Sequence, residues 1–303
     1  MASGDDLTFD RSVAARSGEC LQVSGLVRRI IAPNAGPFTF TGTCSYIVGT
    51  GKVAIIDPGP DDAGHVTALL KALSGEAVTH VVVTHTHRDH SPAARAIRAA
   101  TGARIVGCAP HAQIADAPSG RLDASHDMDH APDEVMQDGD VLEGAGFHLE
   151  AVHTPGHASN HLCFALREEN ALFSGDHVMG WSTTSVAPPD GDMAAYMASL
   201  EKLRARPEAI YWPGHGGPVR EPERYVRGLA THRRQRETVI LQRIVAGDET
   251  ILSIVERIYE GLDPRLKGGA ALSVLAHLED LVRKGRVASS DGAATLEARY
   301  RAA

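Results

Sequence analysis

His85-Thr86-His87-Arg88-Asp89-His90 follows directly on Thr79-His80-Val81-Val82-Val83-Thr84. The β-branched run reads as a buried strand. The hexapeptide then sets three imidazoles and a carboxylate at the end of that strand. Such side chains have little use inside a packed core. A strand end lies at the rim of a sheet, where clefts and metal sites sit. Imidazole together with carboxylate suits Zn²⁺, with Mn²⁺ and Fe²⁺ as alternatives. Whatever the chain folds into must bring this hexapeptide to a sheet edge.

Three further segments share the arrangement. Thr154-Pro155-Gly156-His157, Ser174-Gly175-Asp176-His177 and Pro213-Gly214-His215-Gly216 each follow an expected strand. Each sets one donor on a Gly-containing turn, where the backbone can bend sharply. The candidate ligands are therefore His85, His87, Asp89, His90, His157, Asp176 and His215. They suffice for two metal ions, with Asp176 bridging.

The 303 residues suffice for one large domain with a small appendage. A formal net charge of −8 argues against a surface devoted to nucleic acid. The first twenty residues hold no apolar core of signal-peptide length. No apolar run approaches the roughly 18 residues of a membrane span. Cys20, Cys44, Cys108 and Cys163 are far apart and form no CxxC pair, so free thiols in a reducing cytoplasm are expected.

Residues 1–221 carry 16 basic against 27 acidic side chains, and residues 222–303 carry 14 against 11. The change follows the turn-rich stretch Trp212–Pro218, so a boundary is expected between units 1–221 and 222–303. In the first unit, strands 45–48 and 53–56 form a hairpin. Helical spacing marks 65–74, 92–100 and 193–204, and further strands are expected at 104–107, 147–153, 162–166 and 171–174. Residues 114–134 read as a polar loop. In the second unit, helices at 231–246, 250–260 and 270–284 precede a hairpin-like turn at 286–292, which suggests a winged-helix-like module.

Taken together, the HxHxDH, PGH, GD and PGHG elements resemble the metallo-β-lactamase superfamily over nearly all of residues 20–220. The resemblance implies an α/β fold, a four-layer αββα sandwich, followed here by the small helical winged-helix-like domain. It implies a first metal on His85, His87 and His157, a second on Asp89, His90 and His215, and Asp176 between them. It also implies a hydrolase in which a hydroxide held between two Zn²⁺ is the nucleophile, with Asp89 orienting it or taking its proton. Antibiotic-destroying members carry a cysteine near the place of Asp176. Members with a large inserted domain are excluded, because only 38 residues separate Asp176 from His215. Gly180-Trp181-Ser182-Thr183-Thr184, the helix at 193–204 and His232-Arg233-x-x-Arg236-Glu237 resemble the β-lactamase-like protein 2 group. That group carries the same C-terminal module and includes single-strand endoribonucleases and acyl-carrier-protein thioesterases.

The expected substrate is therefore a small ester or an acyl thioester. Single-stranded RNA is the alternative, and a non-catalytic module retaining the fold is a third reading. Asp57 is a candidate to orient a ligand imidazole. His161 is a candidate substrate contact, His153 a buried structural histidine, and Trp181 with Thr183 and Thr184 the pocket mouth. His177 follows Asp176 and ranks low as a cleft residue. His126, Asp127, Asp129 and His130 belong to the polar loop, with an extra ion as the alternative. Ser91 and Ser159 have no base beside them and are read as structural. Arg88 points outward. The run Thr231-His232-Arg233-Arg234-Gln235-Arg236 is read as a solvated helix face, with a phosphate landing site as the alternative.

Overall fold

The computed structural model describes residues 7–11, 16–112 and 126–303. Two sheets form the body. The first runs in the order β1 (Leu21–Gln22), β2 (Val27–Ile31), β3 (Cys44–Thr50), β4 (Lys52–Ile56), β5 (Ala77–Val83), β6 (Arg104–Gly107) and β7 (Glu134–Val135). β1 to β4 pair antiparallel, whereas β4 to β7 pair parallel. The second sheet contains β8 (Val141–Glu143), β9 (His148–His153), β10 (Leu162–Leu166), β11 (Ala171–Gly175), β12 (Ile210–Pro213) and β13 (Val219–Arg220), each beside the next.

Every residue of β10 is buried, because both of its faces are covered. Leu162, Phe164 and Leu166 enter the core shared with the first sheet, and Cys163 and Ala165 enter the core on the other side. That two-residue alternation is the sandwich read along one strand. The first core also takes Leu69 from α1 (Ala63–Ala72) and Ile97 from α2 (Ala94–Thr101). The second takes Tyr196, Leu200 and Leu203 from α3 (Met193–Arg204). The layers are therefore helix, sheet, sheet, helix, the expected αββα architecture.

α4 (Pro222–Val245) is the longest helix among the described residues. It begins nine residues before the expected start at 231. The charged residues Glu223, Arg224 and Arg227 hide its apolar face in the sequence, yet Val226, Leu229 and Ala230 are buried against α3. Its far half buries Ile240 and Ile244 in a third core. That core holds α5 (Ile251–Ile258), α6 (Lys267–Arg283) and the ribbon of β14 (Val287–Ser289) with β15 (Tyr300–Ala302). α5 is started by a capping box, Thr250 with Ser253. The turn expected at 286–292 is not a tight hairpin, because Ser289 pairs with Tyr300 across a longer connection.

The expected polar loop 114–134 lies outside the described residues as far as 125, and its end forms β7. The four cysteines are free, with Cys20 exposed and the other three buried. No helix among the described residues is long and apolar enough to cross a membrane.

Candidate metal centre

One edge of the sandwich collects the donors. Asp57 follows β4, residues 85–90 follow β5, His157 follows β9, Asp176 follows β11 and His215 follows β12. β4 and β5 run parallel, as do β11 and β12. β9 and β11 both run antiparallel to β10, so they too end on one side. Gly214 makes the exit of β12 passable: a Cβ there would sit 2.7 Å from His90 Cε1 and nearer still to Asp176 Oδ1. Gly156 has φ of +135° and brings the turn before His157 against the α3 backbone.

Two donor sets result. His85, His87 and His157 offer ligand atoms that all lie within 4.8 Å of one another, and so do Asp89, His90 and His215. Asp176 touches both: Oδ2 is 3.7 Å from His157 Nε2 and 3.3 Å from His215 Nε2, and Oδ1 is 3.4 Å from His90 Nε2.

Hydrogen bonds on the far side of three of the rings fix which nitrogen faces inward. His157 Nδ1 lies 2.7 Å from the Ser185 carbonyl, which can only accept, so Nδ1 carries the proton. His85 Nδ1 donates to Thr84 Oγ1, whose own proton goes to Asp57. Both rings then aim a lone pair, from Nε2, at His87 Nδ1, 2.9 and 3.0 Å away. His90 Nδ1 donates to Asp57 Oδ2 at 2.9 Å, which leaves Nε2 facing Asp89 and Asp176. His90 Nε2 and Asp176 Oδ1 are buried without a hydrogen-bond partner. Lone pairs and carboxylate oxygens converging in a buried space repel one another unless a cation sits among them, so this donor set fits metal ions.

The electrostatics agree. Burial drives the His85 and His87 pKa values well below the usual imidazole range, and the neighbouring rings add to it. Burial opposes charge on His215 too, yet Asp176 and Asp89 raise its pKa to about 10. Asp89 and Asp176 resist the upward pull of burial, because His90 and His215 hold them well below the usual carboxylate range. One set is a neutral imidazole trio, and the other draws positive charge.

Asp57 holds three groups: His90 Nδ1, Thr84 N at 2.8 Å and Thr84 Oγ1 at 2.7 Å. His161 does not reach the cleft as a substrate contact. It is fully buried beneath the donors, where its Nε2 accepts from Asp176 N at 3.2 Å and its Nδ1 meets Thr154 Oγ1. His153 is exposed rather than buried, since it ends β9 and its neighbour Val152 takes the inward position. His177 is buried against Tyr196, facing away from the cleft. Trp181 lines the cavity with one indole face stacked on Phe40 at 5.0 Å. Asp127 pairs with Arg95, and His130 lies by Cys108, whereas His126 sits with His87 and Asp190. Ser91 donates to Asp127.

Thr43 was not legible in the sequence. Its Oγ1 donates to Asp89 Oδ2 at 3.1 Å, and Asn34 holds Thr43 from both sides. Neither residue belongs to a motif; only the fold brings them beside Asp89. The basic run on α4 divides. Arg233 is buried, donates to the Thr184 carbonyl and lies over the Tyr196 ring. Arg234 pairs with Glu201 on the outside, and His232 and Arg236 line the cavity. It is therefore not a uniformly solvated face, because α4 packs across the mouth of the site. The cavity itself measures about 700 Å³ and reaches from His87, Asp89 and Asp176 to Leu262, Leu266 and Ala270.

The profile of the metallo-beta-lactamase superfamily matches residues 38–215, and that of the beta-lactamase associated winged helix domain matches residues 250–295. The chain belongs to the metallo-beta-lactamase superfamily. It is a hydrolase of that superfamily, and its His/Asp cluster is the typical metal-binding one. An atrochrysone carboxyl ACP thioesterase of Paecilomyces divaricatus is 35% identical over 229 residues, which are 74% of this chain and 67% of that one. A lactamase-like protein of Aspergillus niger is 33% identical over 232 residues, 75% of this chain and 66% of that one. The chain thus spans about two thirds of the length of these relatives. A metallo-beta-lactamase family protein of Thermus thermophilus shares the fold with a TM-score of 0.76 at 21% identity, covering 93% of this chain and all of that one. A beta-lactamase domain protein of Burkholderia ambifaria does so with 0.78 at 21% identity, covering 96% of each.

Proposed function

We propose that this hydrolase cleaves acyl thioesters at a centre of two metal ions. The observation that carries the reading is the pair of donor sets with Asp176 between them. His85, His87 and His157 would hold one ion, Asp89, His90 and His215 the other, and Asp176 both. Zinc suits these donors, with manganese or iron as alternatives. Bound ions of this kind supply Lewis acidity at a carbonyl and lower the pKa of water.

The chain's own residues do the rest. Thr84 and Ser185 fix the His85 and His157 tautomers so that Nε2 of each is a lone pair, and Asp57 holds the His90 ring with Nε2 facing inward. Asp89 is the more exposed of the two carboxylates, with 21% of its side chain open against 10% for Asp176. Thr43 holds its Oδ2, so Oδ1 is the atom placed to accept a proton and pass it to the departing thiolate. Trp181, Phe38, Leu262 and Leu266 give the cavity an apolar wall that excludes water around an acyl chain.

The relatives' thioesterase names support a thioester over RNA. So does the stacking of Trp181 on Phe40, which removes one aromatic face that a base could use. We divide the chain into a catalytic unit, 1–221, and a winged-helix unit, 222–303, with α4 packed on both. The test is a chelated, metal-free preparation reloaded with zinc and offered acyl-CoA, acyl-pantetheine and a fluorogenic single-stranded RNA. Thiol release should require metal, should fall at least a hundredfold in Asp176→Ala, and should exceed any RNA cleavage. RNA cleavage without thiol release would overturn the reading, as would thiol release indifferent to metal.

A further inference from the structure

The chain is acidic overall, yet its cavity is not. Four arginines line it: Arg11, Arg88, Arg233 and Arg236. Among the described residues its only carboxylates are Asp89 and Asp176, both committed to the donor cluster. With 38 acidic against 30 basic side chains in the sequence, that bias is opposite to the chain's own average. Two of the four arginines are already engaged. Arg233 gives its guanidinium to the Thr184 carbonyl, and Arg11 Nε donates to the Trp181 carbonyl at 3.3 Å.

Arg88 is exposed, whereas Arg236 is not. It is half-buried on α4, among the described residues it makes no ion pair, and its guanidinium lies 4.5 Å from the Tyr259 ring centroid. Tyr259 follows α5, so ring and cation both belong to the C-terminal unit, and both line the cavity that reaches Asp89 and Asp176. A guanidinium stacked on a ring keeps its in-plane N–H fork free. His232 stands one turn before it, with Nδ1 buried and without a hydrogen-bond partner. Nearby Leu262, Leu266 and Ala270 supply apolar surface, so the cation is partly shielded from water. A planar, unpaired and part-desolvated cation in a cleft is an anion receptor in waiting.

We propose that Arg236, with His232 beside it, binds a phosphate or carboxylate of the substrate remote from the scissile bond. The inference rests on the thioester reading for the identity of that substrate, a thioester bearing one such anion. The phosphate would belong to a phosphopantetheine thiol arm, and the carboxylate to the acyl group. Arg236 is a specificity residue in this scheme: it selects among thioesters by their charge and takes no part in bond cleavage.

The experiment needs no turnover, so its failure is separable from failure of the thioesterase reading. Three inert thioethers are titrated calorimetrically into the zinc-loaded full chain: S-butyl-pantetheine, S-butyl-4′-phosphopantetheine and S-(3-carboxypropyl)-pantetheine. At least one anionic probe should bind about tenfold or more tightly than the neutral one, and which one does so identifies the source of the anion. That preference should vanish in Arg236→Gln, return in part in Arg236→Lys, and persist in Arg234→Gln, whose side chain pairs with Glu201 outside the cavity. Equal binding of all three probes by the unmodified protein would overturn the proposal. A preference that survives Arg236→Gln would overturn it as well.

Discussion

Gly214→Ala separates the donor geometry from the fold. The added Cβ would lie 2.7 Å from His90 Cε1 and closer to Asp176 Oδ1. Ordinary contacts of this kind begin near 3.4 Å, so ring and carboxylate must retreat by roughly 0.7 Å or more. Ligand positions tolerate only about 0.2 Å. The φ of Gly214 is not in the left-handed region, so alanine itself is allowed there. Overpacking should therefore cost the metal-free protein only about 1–3 kcal/mol, offset in part by the lost flexibility of the unfolded chain. Metal affinity should fall about ten- to a hundredfold, the range seen when groups that orient ligands are removed. The assay is zinc competition against a chromophoric chelator, with metal content and thermal melts of loaded and stripped protein alongside. The gap between the two melts should shrink in Gly214→Ala. Gly268→Ala is the control, since open space surrounds that glycine. Two ions bound with unchanged affinity in Gly214→Ala would refute the geometry argued above.

Asp57→Asn removes the charge that holds His90 Nδ1 and the Thr84 hydroxyl. Stability in urea should drop by about 2–4 kcal/mol, and zinc affinity about tenfold or more; an unchanged chelator competition would show that Asp57 does not orient His90. His65 gives the pH dependence. It is buried, with Nε2 on Ser45 Oγ at 2.8 Å, and burial lowers its pKa from 6.5 to about 4 against the pull of Asp62. The unfolded chain therefore takes up a proton below pH 6.5 that the folded chain refuses until about pH 4, so this contribution to stability is present above 6.5 and is lost as the pH falls. Between pH 7 and 5 the metal-free protein should lose about 2 kcal/mol through this residue alone. His65→Gln should flatten that difference in paired urea titrations, and parallel curves for the two proteins would contradict it.

The sequence displayed the donors because chemistry of this kind is local. His85, His87, Asp89 and His90 fall within one hexapeptide, and the remaining three sit on Gly turns after apolar strands. A strand's register fixes which way a following turn projects, so seven donor candidates could be picked out along the chain. What stayed hidden was whatever depends on packing between distant segments. Thr43 and Asn34 reach Asp89 only because β3 runs beside the exit of β12, where Cys44 N meets the Gly214 carbonyl at 2.7 Å. His161 and His177 resemble cleft residues in sequence, yet both are buried, and only tertiary contact decides which way such a ring turns. The start of α4 was hidden for the same reason. Its first two turns carry Glu223, Arg224 and Arg227, and it is α3 that covers the short stripe of Val226, Leu229 and Ala230 beside those charges.

α4 also ties the C-terminal core to the site. Arg233 donates to the Thr184 carbonyl. Thr184 Oγ1 in turn donates to the Asp176 carbonyl at 2.8 Å. Tyr225, two turns earlier, donates to the Met179 carbonyl at 2.7 Å. The segment from Asp176 to Thr184, which carries a metal-facing carboxylate and the cavity wall at Trp181, is thus pinned by side chains of one helix. The far half of that helix is buried in the C-terminal core through Ile240 and Ile244. A loop so held loses little further freedom when ligands bind, which is the condition for a preorganised centre. The small C-terminal core therefore acts on the chemistry through α4: it anchors the helix, the helix fixes the loop, and the loop sets Asp176 between the two donor sets.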